Sequence, residues 1–599
     1  MFRRIQHVHF VGIGGIGMCG LAELLHNQGY RVSGSDLREG PTLARLRSLG
    51  VPVVVGHASD NVGQADVVVY SSAVRPQNAE LLEAERRKIP VIPRAEMLAE
   101  IMRLKHGIAV AGTHGKTTTT SLIAHVLHAA GLDPTAVIGG RVLAADLDPT
   151  GARRGRGEFL VAEADESDGS FLRLAPVVAV ITNIDPEHLD HYGSYEAIQH
   201  AFVSFANSVP FWGLTVLCLD HPGVQAILPR MTRRIATYGF ASQADLVATE
   251  VAVDGWGMCF RVRARGVELG AVRLRLPGRH NVSNALATLA VALELDVPFA
   301  TASEALGEFL GIERRFQPRG EVRGVRVVDD YGHHPAEIRA TLAAARGLHP
   351  GRLVVVFQPH RYTRTRDLFE DFATAFNDAD LVLLSEIYPA GEDKLPGVEA
   401  ALLAEAIRAH GHRDVRFAPD LEALPARLAP ELCRGDLVGT LGAGSISTLG
   451  PRLLAALEGQ PGCSRGPHAA PSRMPWRIAS DSACPFRNSP PCASAAPRRP
   501  SPPRPTAPSW RAFCPSVPCI ASPTGCSARA STPSPWTAEP TALRFSSRAS
   551  AASRSGPAAP CAPRPGCPMA ASHGSASSAA WRGWSSGRES RARSAAGRR

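Results

Sequence analysis

The sequence has little of what marks a membrane, secreted or zinc-binding protein. No run of 18 apolar residues occurs in the 599-residue chain, so we expect no transmembrane helix. Two arginines lead straight into a short apolar run at the N-terminus, which argues against a secretory signal peptide. Residues 1–460 contain four cysteines with no CxxC pair or metal-ligand spacing, namely Cys19, Cys218, Cys259 and Cys433. Scattered thiols of this kind predict a protein of the reducing cytoplasm.

Residues 461–599 have no lysine and three acidic residues, against 19 arginines, 24 of the 48 prolines and 8 of the 12 cysteines. This tail therefore carries a net charge of +16, and residues 1–460 carry −6 of the overall +10. One leucine, one valine and two isoleucines cannot offset chain entropy, so we predict that residues 459–599 are disordered. We favour an out-of-frame translation of GC-rich DNA over a natural disordered tail. Charge on an unfolded tail gives no reason to infer a nucleic-acid or membrane partner.

Short β-branched runs alternate with helical stretches through the first 458 residues. Such runs lie at residues 8–11, 67–70, 108–111, 177–182, 353–357, 381–384 and 437–441. Each has the length of a buried parallel strand, and the alternation predicts an α/β protein built of doubly wound units. We place three such domains at residues 1–104, 105–319 and 320–458.

The first strand leads into a glycine-rich loop. Residues 12–18 read GIGGIGM, which satisfies GxGxxG between a strand and a helix predicted to begin near Cys19. Glycines let the backbone approach a diphosphate, and a helix N-terminus favours its charge. One interpretation of this loop is an NAD-dependent oxidoreductase, and another is a glycine turn with a structural role alone. Ser71 and Ser72 could equally be the polar end of the strand at residues 67–70. The candidate sugar-nucleotide contacts are Gly14, Gly15, Ile16, Gly17, Asp36, Ser71 and Ser72.

A second phosphate loop follows the strand at residues 108–111. Residues 112–118 read GTHGKTT, and a helix is expected through His128. The backbone amides would cradle phosphates, Lys116 would neutralise the β- and γ-phosphates, and the Thr117 hydroxyl would bind Mg²⁺. Val110 stands where the full Walker pattern has glycine, so this is a shorter variant, and a dehydrogenase does not need it. The candidate ATP contacts here are Gly112, Thr113, His114, Gly115, Lys116, Thr117 and Thr118.

GIGGIGM followed by GTHGKTT resembles the Mur ligase family of bacterial cell-wall precursor synthesis. Further matching stretches occur in family order over nearly all of residues 5–458, at residues 163–168, 182–190, 277–284, 314–316, 329–335 and 357–366. The resemblance implies a Rossmann-like UDP-binding domain, a central P-loop-type ATPase domain and a Rossmann-like domain that binds the amino acid. It also implies the substrates UDP-N-acetylmuramate and L-alanine, with ATP and Mg²⁺.

The resemblance implies roles for several further residues. Glu163 and His188 would bind Mg²⁺ together with Thr117, although a histidine ligand is unexpected for this hard cation. Arg315 would reach the nucleotide phosphates. Tyr331 and His333 would lie on the amino-acid side. We assign only hydrogen bonding to substrate to the neighbouring acids Asp165, Glu166 and Asp168.

Two asparagines stand three residues apart near a predicted helix start. Asn281 and Asn284 would share one helix face and offer amides to adenine and ribose, but Asn281 also suits a helix cap. We expect Asp330 to contact the ATP ribose.

Basic residues follow the strand at residues 353–357. Arginine binds carboxylates in a bidentate manner, so His360, Arg361 and Arg364 would hold the carboxylate of L-alanine, and Arg366 would lie on the surface. We hypothesise that His333 or His360 takes the amine proton.

The mechanism implied by the resemblance is phosphorylation of the lactyl carboxylate by ATP, followed by attack of the amine on the acyl phosphate. The catalytic candidates are Lys116, His333, Arg361 and Arg364, and we expect the third domain to close and exclude water. The alternatives are a ligase that recycles muramyl tripeptide, an NAD-dependent oxidoreductase and a non-catalytic nucleotide-binding module.

Overall fold

The computed structural model describes residues 5–71, 73–140, 142–143, 152–153 and 155–459. In this part of the chain three β-sheets form, and apolar clusters cover both faces of each of them. The predicted doubly wound α/β class is therefore confirmed. The tail for which disorder was predicted lies outside the described residues from residue 460 onwards. We call the parts of the chain that build the three sheets the first, central and third domains.

The first domain contains a parallel sheet with strand order β3-β2-β1-β4-β5. Its elements are β1 His7–Val11, α1 Ile16–Asn27, β2 Arg31–Asp36, α2 Pro41–Ser48, β3 Val53–Val55, β4 Val67–Tyr70, α3 Ala79–Arg86, β5 Val91–Pro93 and α4 Arg94–Met102. A 3₁₀ turn, Ser59–Val62, lies between β3 and β4. Helix α1 begins three residues before the predicted start near Cys19.

The central domain has strand order β15-β14-β13-β12-β11-β10-β6-β9-β7-β8. Its core strands are parallel, whereas β13, β14 and β15 form antiparallel hairpins that the sequence analysis did not predict. The elements are β6 His106–Ala111, α5 Lys116–Ala129, β7 Thr135–Val137, β8 Ala152–Arg153, β9 Phe159–Glu163, β10 Val178–Ile181, α6 Leu189–Tyr192, α7 Tyr195–Ala206, β11 Leu214–Cys218, α8 Pro222–Ile227, β12 Ile235–Gly239, β13 Leu246–Asp254, β14 Gly257–Ala264, β15 Val267–Leu274, α9 Arg279–Glu294 and α10 Phe299–Glu308.

The third domain has strand order β16-β17-β21-β18-β19-β20, parallel except for the β16–β17 pair. The predicted boundary between residues 319 and 320 falls inside β16, so the third sheet begins at Gln317. The elements are β16 Gln317–Val322, β17 Val325–Asp330, α11 Pro335–Leu348, β18 Leu353–Phe357, α12 Tyr362–Asp367, α13 Phe369–Ala373, β19 Leu381–Leu384, α14 Ala400–Ala409, β20 Val415–Phe417, α15 Leu424–Leu428, β21 Leu437–Leu441 and α16 Leu449–Glu458.

The first and central domains share one apolar core. Met97 and Leu98 of α4 belong to the same buried cluster as Phe171 and Leu174 of the central domain. The core of the third domain is separate, apart from Trp256 of the β13–β14 turn, which packs against Phe316. Apolar burial holds the first and central domains together. The third domain can therefore move relative to the central domain more easily than the first domain can. No helix among the described residues is long and apolar enough to cross a membrane.

Candidate functional site

Loops at the carboxyl ends of strands from all three sheets line one cavity of about 690 Å³. Ligands of open α/β sheets bind at this edge, where the loops that follow parallel strands meet. The predicted site residues that line the cavity are Gly15, Gly17, Ser71, Thr113, His114, Gly115, Lys116, Thr117, Glu163, His188, Arg315, Tyr331, His333, His360, Arg361 and Arg364. Both glycine-rich loops therefore face the same space as the basic residues of the third domain.

The second phosphate loop has glycine where no other residue fits. Gly112 and Gly115 have φ angles of +131° and +82°. A Cβ at Gly112 would overlap the Thr182 hydroxyl oxygen, and a Cβ at Gly115 would lie 2.8 Å from Asn284 Oδ1. Helix α5 begins directly after the loop, at Lys116, so its unpaired amides point into the loop. This geometry can bind a phosphate group.

Lys116 is held by the acidic cluster that follows β9. Its ammonium lies 2.8 Å from Glu166 Oε2 and donates a hydrogen bond of 2.8 Å to the Gly112 carbonyl. Burial alone would lower the pKa of Lys116, but Glu166, Asp165 and Glu163 outweigh it and raise that pKa. Burial raises the pKa of Glu166 to about 7 although Lys116 opposes the shift. Lys116 is thus a permanent cation beside the loop.

Thr117 and Glu163 form an oxygen-rich corner of the cavity. The Thr117 hydroxyl donates to both Glu163 carboxylate oxygens, at 3.1 and 3.2 Å, and the Gly139 amide donates to Oε2 at 2.9 Å. Carboxylate and hydroxyl oxygens are the ligands that Mg²⁺ prefers. The donor set therefore fits a divalent cation next to the phosphate loop.

A second candidate cation position lies around His188. Within the described residues, ligand atoms of Glu166, Glu187 and His188 all lie within 4.8 Å of one another. Burial lowers the pKa of His188 more than Glu187 raises it, and a neutral imidazole is the form that binds metals. His188 also has a left-handed backbone, with φ +56°, a costly conformation of the kind often found at functional sites.

The first glycine loop is positioned by Asp36. The Gly14 amide donates a hydrogen bond of 2.8 Å to Asp36 Oδ2, so this carboxylate supports the loop from the end of β2. Gly15, Gly17 and Ser71 line the cavity, whereas Gly14 and Asp36 lie behind it. Ser72 and the side chain of Ile16 lie outside the described residues.

A second cavity of about 490 Å³ lies on the other side of the phosphate loop. The predicted residues that line it are His114, Gly115, Thr118, Asn281, Asn284, Arg315 and Asp330. Asn281 donates to the Pro277 carbonyl at 2.7 Å, and Asn284 donates to Asn281 Oδ1 at 3.2 Å. The alternative that Asn281 caps the helix is wrong, because Gly278 occupies the cap position of α9.

Asp330 joins this second cavity to the third domain. Its carboxylate accepts hydrogen bonds of 2.7 Å from the amides of Gly332 and Phe316. Burial raises the pKa of Asp330, although Arg315 opposes the shift. The aromatic ring of Phe240, with the Arg279 guanidinium 4.0 Å above it, adds a flat wall. The cavity thus combines a planar surface with polar groups, as a nucleoside site needs.

The third domain contributes two histidine rings in an edge-to-face arrangement and two arginines to the first cavity. The His333 and His360 rings lie 5.6 Å apart, and Arg364 Nη1 lies 3.5 Å from His360 Nδ1. Arg361 has a left-handed backbone, with φ +70°. Burial lowers the pKa of His333, and burial together with nearby cations lowers that of His360 to about 3. The lowered pKa values favour the neutral form of both rings, and a pKa of about 3 makes His360 the weaker base of the two.

Several cavity residues were not singled out from the sequence. Arg94, at the start of α4, lies beside Gly17 and follows strand β5, so its position at a strand end was an available signal. Glu187, His334 and Glu337 lie within stretches or next to motifs that were recognised, but nothing local distinguished them. Their partners come from other domains, and so only the tertiary structure identifies them.

Three family models match the chain in order. The catalytic-domain model of the Mur ligase family matches residues 7–106, the Mur ligase middle domain residues 110–292, and the Mur ligase glutamate ligase domain residues 314–444.

Relatives with assigned activities agree with these matches. A UDP-N-acetylmuramate–L-alanine ligase of Myxococcus xanthus is 56% identical over 459 residues, which cover 77% of this chain and 97% of that protein. The structure of a UDP-N-acetylmuramate–alanine ligase from Thermotoga maritima has 30% identity and a TM-score of 0.65, and covers 76% of this chain and 99% of that one. A murein peptide ligase from Psychrobacter arcticus, at 27% identity and a TM-score of 0.57, covers 76% and 99%. The chain thus belongs to the Mur ligase family.

Proposed function

We propose that the protein joins L-alanine to UDP-N-acetylmuramate with consumption of ATP, a step of peptidoglycan precursor synthesis in the cytoplasm. The relatives named for this reaction match over at least 97% of their own length. The three family models together include all the residues that line the cavity except Ile312 and Glu313. The observation that carries the proposal is that two anion-binding loops and an arginine-bearing edge share one cavity. An amide ligase needs to bring a sugar nucleotide, a triphosphate and an amino acid together in this way.

In the proposed first step, the lactyl carboxylate of UDP-N-acetylmuramate attacks the γ-phosphate of ATP, and an acyl phosphate and ADP form. Lys116 stabilises the charge that grows on the transferring phosphoryl group, because its ammonium is fixed beside the loop. The loop amides hold the phosphates. Adenine and ribose occupy the second cavity, between Phe240 and the Asn281–Asn284 pair, with Asp330 near the ribose.

Mg²⁺ belongs to this proposal. Thr117 and Glu163 would hold one ion, and His188 with Glu166 and Glu187 would hold another. Glu166 Oε2 lies 2.8 Å from the Lys116 ammonium, so this ion would share the Glu166 carboxylate with Lys116. When bound, Mg²⁺ offsets the negative charge of ATP and the acyl phosphate.

In the second step, the L-alanine amine attacks the acyl carbonyl, a tetrahedral intermediate forms, and phosphate leaves. Arg361 and Arg364 would bind the L-alanine carboxylate. His333 or His360, both neutral, would take the proton that the amine releases. Closure of the third domain would exclude the water that hydrolyses an acyl phosphate.

The direct test is release of ADP by the full-length protein with UDP-N-acetylmuramate and Mg²⁺, measured with and without L-alanine. We expect ADP release that depends on L-alanine. A preference for the tripeptide L-alanyl-γ-D-glutamyl-diaminopimelate would instead identify a recycling ligase. Binding of both nucleotides with no ADP release would identify a non-catalytic module, and nicotinamide reduction an oxidoreductase.

Two arginines on one short helix form a matched pair for the amino-acid site. Arg364 lines the cavity, whereas Arg366 is exposed and paired with Asp367 at 2.7 Å. We expect Arg364→Ala to raise the KM for L-alanine about 100-fold, the loss of a charge-assisted carboxylate contact. Arg366→Ala should change it less than twofold. Equal effects would contradict the proposed carboxylate site.

A further inference from the structure

The third domain meets the central domain across the cavity through charged and polar side chains. Glu337 of α11 lies 3.6 Å from His114 of the phosphate loop, and His334 lies 3.5 Å from Glu187. Arg364 Nε lies 4.0 Å from the same Glu187 carboxylate. The first and central domains instead share an apolar core. Charged contacts at a solvent-accessible cavity are separated at much lower cost than a shared core, so this interface can respond to a ligand.

His114 stands at the centre of these contacts. Its ring lies between two carboxylates, with Nε2 3.4 Å from Asp185 Oδ2 and Nδ1 3.6 Å from Glu337 Oε1. The ring also packs on His334, with centroids 4.7 Å apart. Burial would lower the pKa of His114, but Asp185 and Glu337 raise it to about 10, so the ring is a cation at neutral pH.

The two carboxylate oxygens of Glu337 have different partners. Oε2 accepts hydrogen bonds from the amides of His333 at 3.0 Å and His334 at 3.4 Å, which completes the capping box of α11. Oε1 faces two cations outside the helix, His114 at 3.6 Å and Arg315 at 3.5 Å. Capping explains Oε2 only. Oε1 links the phosphate loop to the helix that follows the amino-acid-binding loop.

We infer that the His114–Glu337 ion pair is a latch that couples the ATP loop to closure of the third domain over the amino-acid site. The inference rests on the proposed function for the identity of the ligands. Glu337 is a positioning residue in this account, because it acts through His114, Arg315 and His333. Without the pair, the closed arrangement leaves a partly buried charge with one partner fewer, and open forms become more populated.

A latch predicts a particular kinetic signature. If the population of the closed, binding-competent state falls by some factor, the apparent affinity for L-alanine falls by that factor. Saturating L-alanine still shifts the protein to the closed state. We therefore expect Glu337→Gln to raise the KM for L-alanine about 30-fold and to change kcat less than threefold. Glutamine keeps the capping hydrogen bond and removes the charge. If Glu337 only supported His333, kcat would fall instead, which would overturn the inference.

The partner variant His114→Asn tests the same pair from the central domain, and remains informative if Glu337→Gln does not fold. We expect His114→Asn to raise the KM for L-alanine by a similar factor. The double variant should also raise it about 30-fold and not about 900-fold, because both substitutions remove the same ion pair. Multiplying losses would show independent roles and overturn the latch. A matched control is the pair Glu370–His410, 3.5 Å apart within the third domain, where Glu370→Gln should leave KM unchanged.

Small-angle X-ray scattering gives a readout that does not need turnover. We expect a non-hydrolysable ATP analogue with UDP-N-acetylmuramate to reduce the radius of gyration of the wild type, and to do so less in Glu337→Gln and His114→Asn. Equal compaction in all three would overturn the latch. Absence of L-alanine-dependent ADP release in the wild type would overturn the proposed function, while compaction that depends on the pair would still support the latch.

Discussion

Two carboxylate–histidine networks in this protein have the same chemistry and different surroundings. In the first domain, Glu80 is fully buried, with His9 Nε2 at 3.0 Å, the Ser35 hydroxyl at 2.7 Å and the Asn61 amide at 2.8 Å. All these partners belong to one domain. The partners of Glu337 come from the phosphate loop, the interdomain linker and its own helix. The Glu80 network can be broken only by unfolding, whereas movement of a domain can break the other.

We expect the largest effect at Lys116, which should contribute to catalysis and little to the stability of the fold. Lys116→Ala should lower kcat about 10³-fold, because the transferring phosphoryl group loses its fixed cation. The midpoint of thermal unfolding should change little, since Glu166, with a pKa of about 7, takes up a proton when its partner is removed. ADP release and calorimetry measure the two quantities.

The control for this variant is Lys394→Ala, a lysine that is 67% exposed and 3.7 Å from Glu399. It should alter neither quantity. Intact turnover in Lys116→Ala would remove the phosphate loop from the reaction.

Glu80→Ala should show the opposite pattern. Loss of one partner of a buried charged network leaves the others unpaired, so the free energy of unfolding should fall by about 3–5 kcal/mol. The kcat of the protein that remains folded should change less than threefold, because Glu80 lies outside both cavities. Urea denaturation with activity assays below the transition tests this. Glu83→Ala, which removes the partner of the exposed Arg86 on the same helix, should leave the denaturation midpoint unchanged.

The two networks should lose stability at opposite ends of the pH scale. Burial raises the pKa of Glu80, but hydrogen bonds from His9, Asn61 and Ser35 outweigh it and lower that pKa from 4.5 to about 2. Its stabilisation is present above pH 4.5 and is lost as the pH falls toward 2. The pKa of His114 is raised from 6.5 to about 10, so its stabilisation is complete below pH 6.5 and is lost as the pH rises toward 10.

Unfolding free energies of the wild type, Glu80→Gln and His114→Asn across pH 2–10 separate these windows. The difference between wild type and Glu80→Gln should vanish at the acid end, and that for His114→Asn at the alkaline end. Coincident difference curves would mean that the two networks are one electrostatic unit.

The prediction with the smallest effect on stability tests how far the hydrogen-bond network around Glu80 extends. The Ser33 hydroxyl lies 2.8 Å from both His7 Nε2 and His9 Nδ1. Ser33→Ala removes two hydrogen bonds and should lower the free energy of unfolding by about 1–2 kcal/mol. Ser204→Ala, on the exposed side of α7, is the control and should change it by less than about 0.5 kcal/mol. No difference between the two variants would limit the network to the partners of Glu80.

Local patterns were sufficient for several of the parallel strands and for both glycine loops. The strands predicted at residues 67–70, 353–357, 381–384 and 437–441 have the predicted bounds. Continuous β-branched runs identify strands that are buried on both faces. The hairpins β13 to β15 were missed. Much of β13 and β15 is exposed or partly exposed, so these strands lack the continuous apolar run that identified the buried parallel strands.

Candidate site residues next to strand ends or in phosphate loops could be identified from the sequence, because local patterns predict those strands and loops. Their roles remain predictions, although most of them line the two cavities. Glu187 and Glu337 were not accessible, because nothing in their own segments distinguishes them from ordinary helix or loop acids. What sets them apart is the cation that faces each one from another domain, His114 for Glu337 and Arg364 for Glu187.

The sequence by itself determined the α/β class, the two anion-binding loops and the position of the arginines after β18, because these depend on residues close together in the chain. Only the tertiary structure decided that His114 faces Glu337, and that the first domain shares a core with the central one while the third does not. Contacts of this kind depend on how separate units pack, and local hydrophobic periodicity carries no information about the partner across an interface.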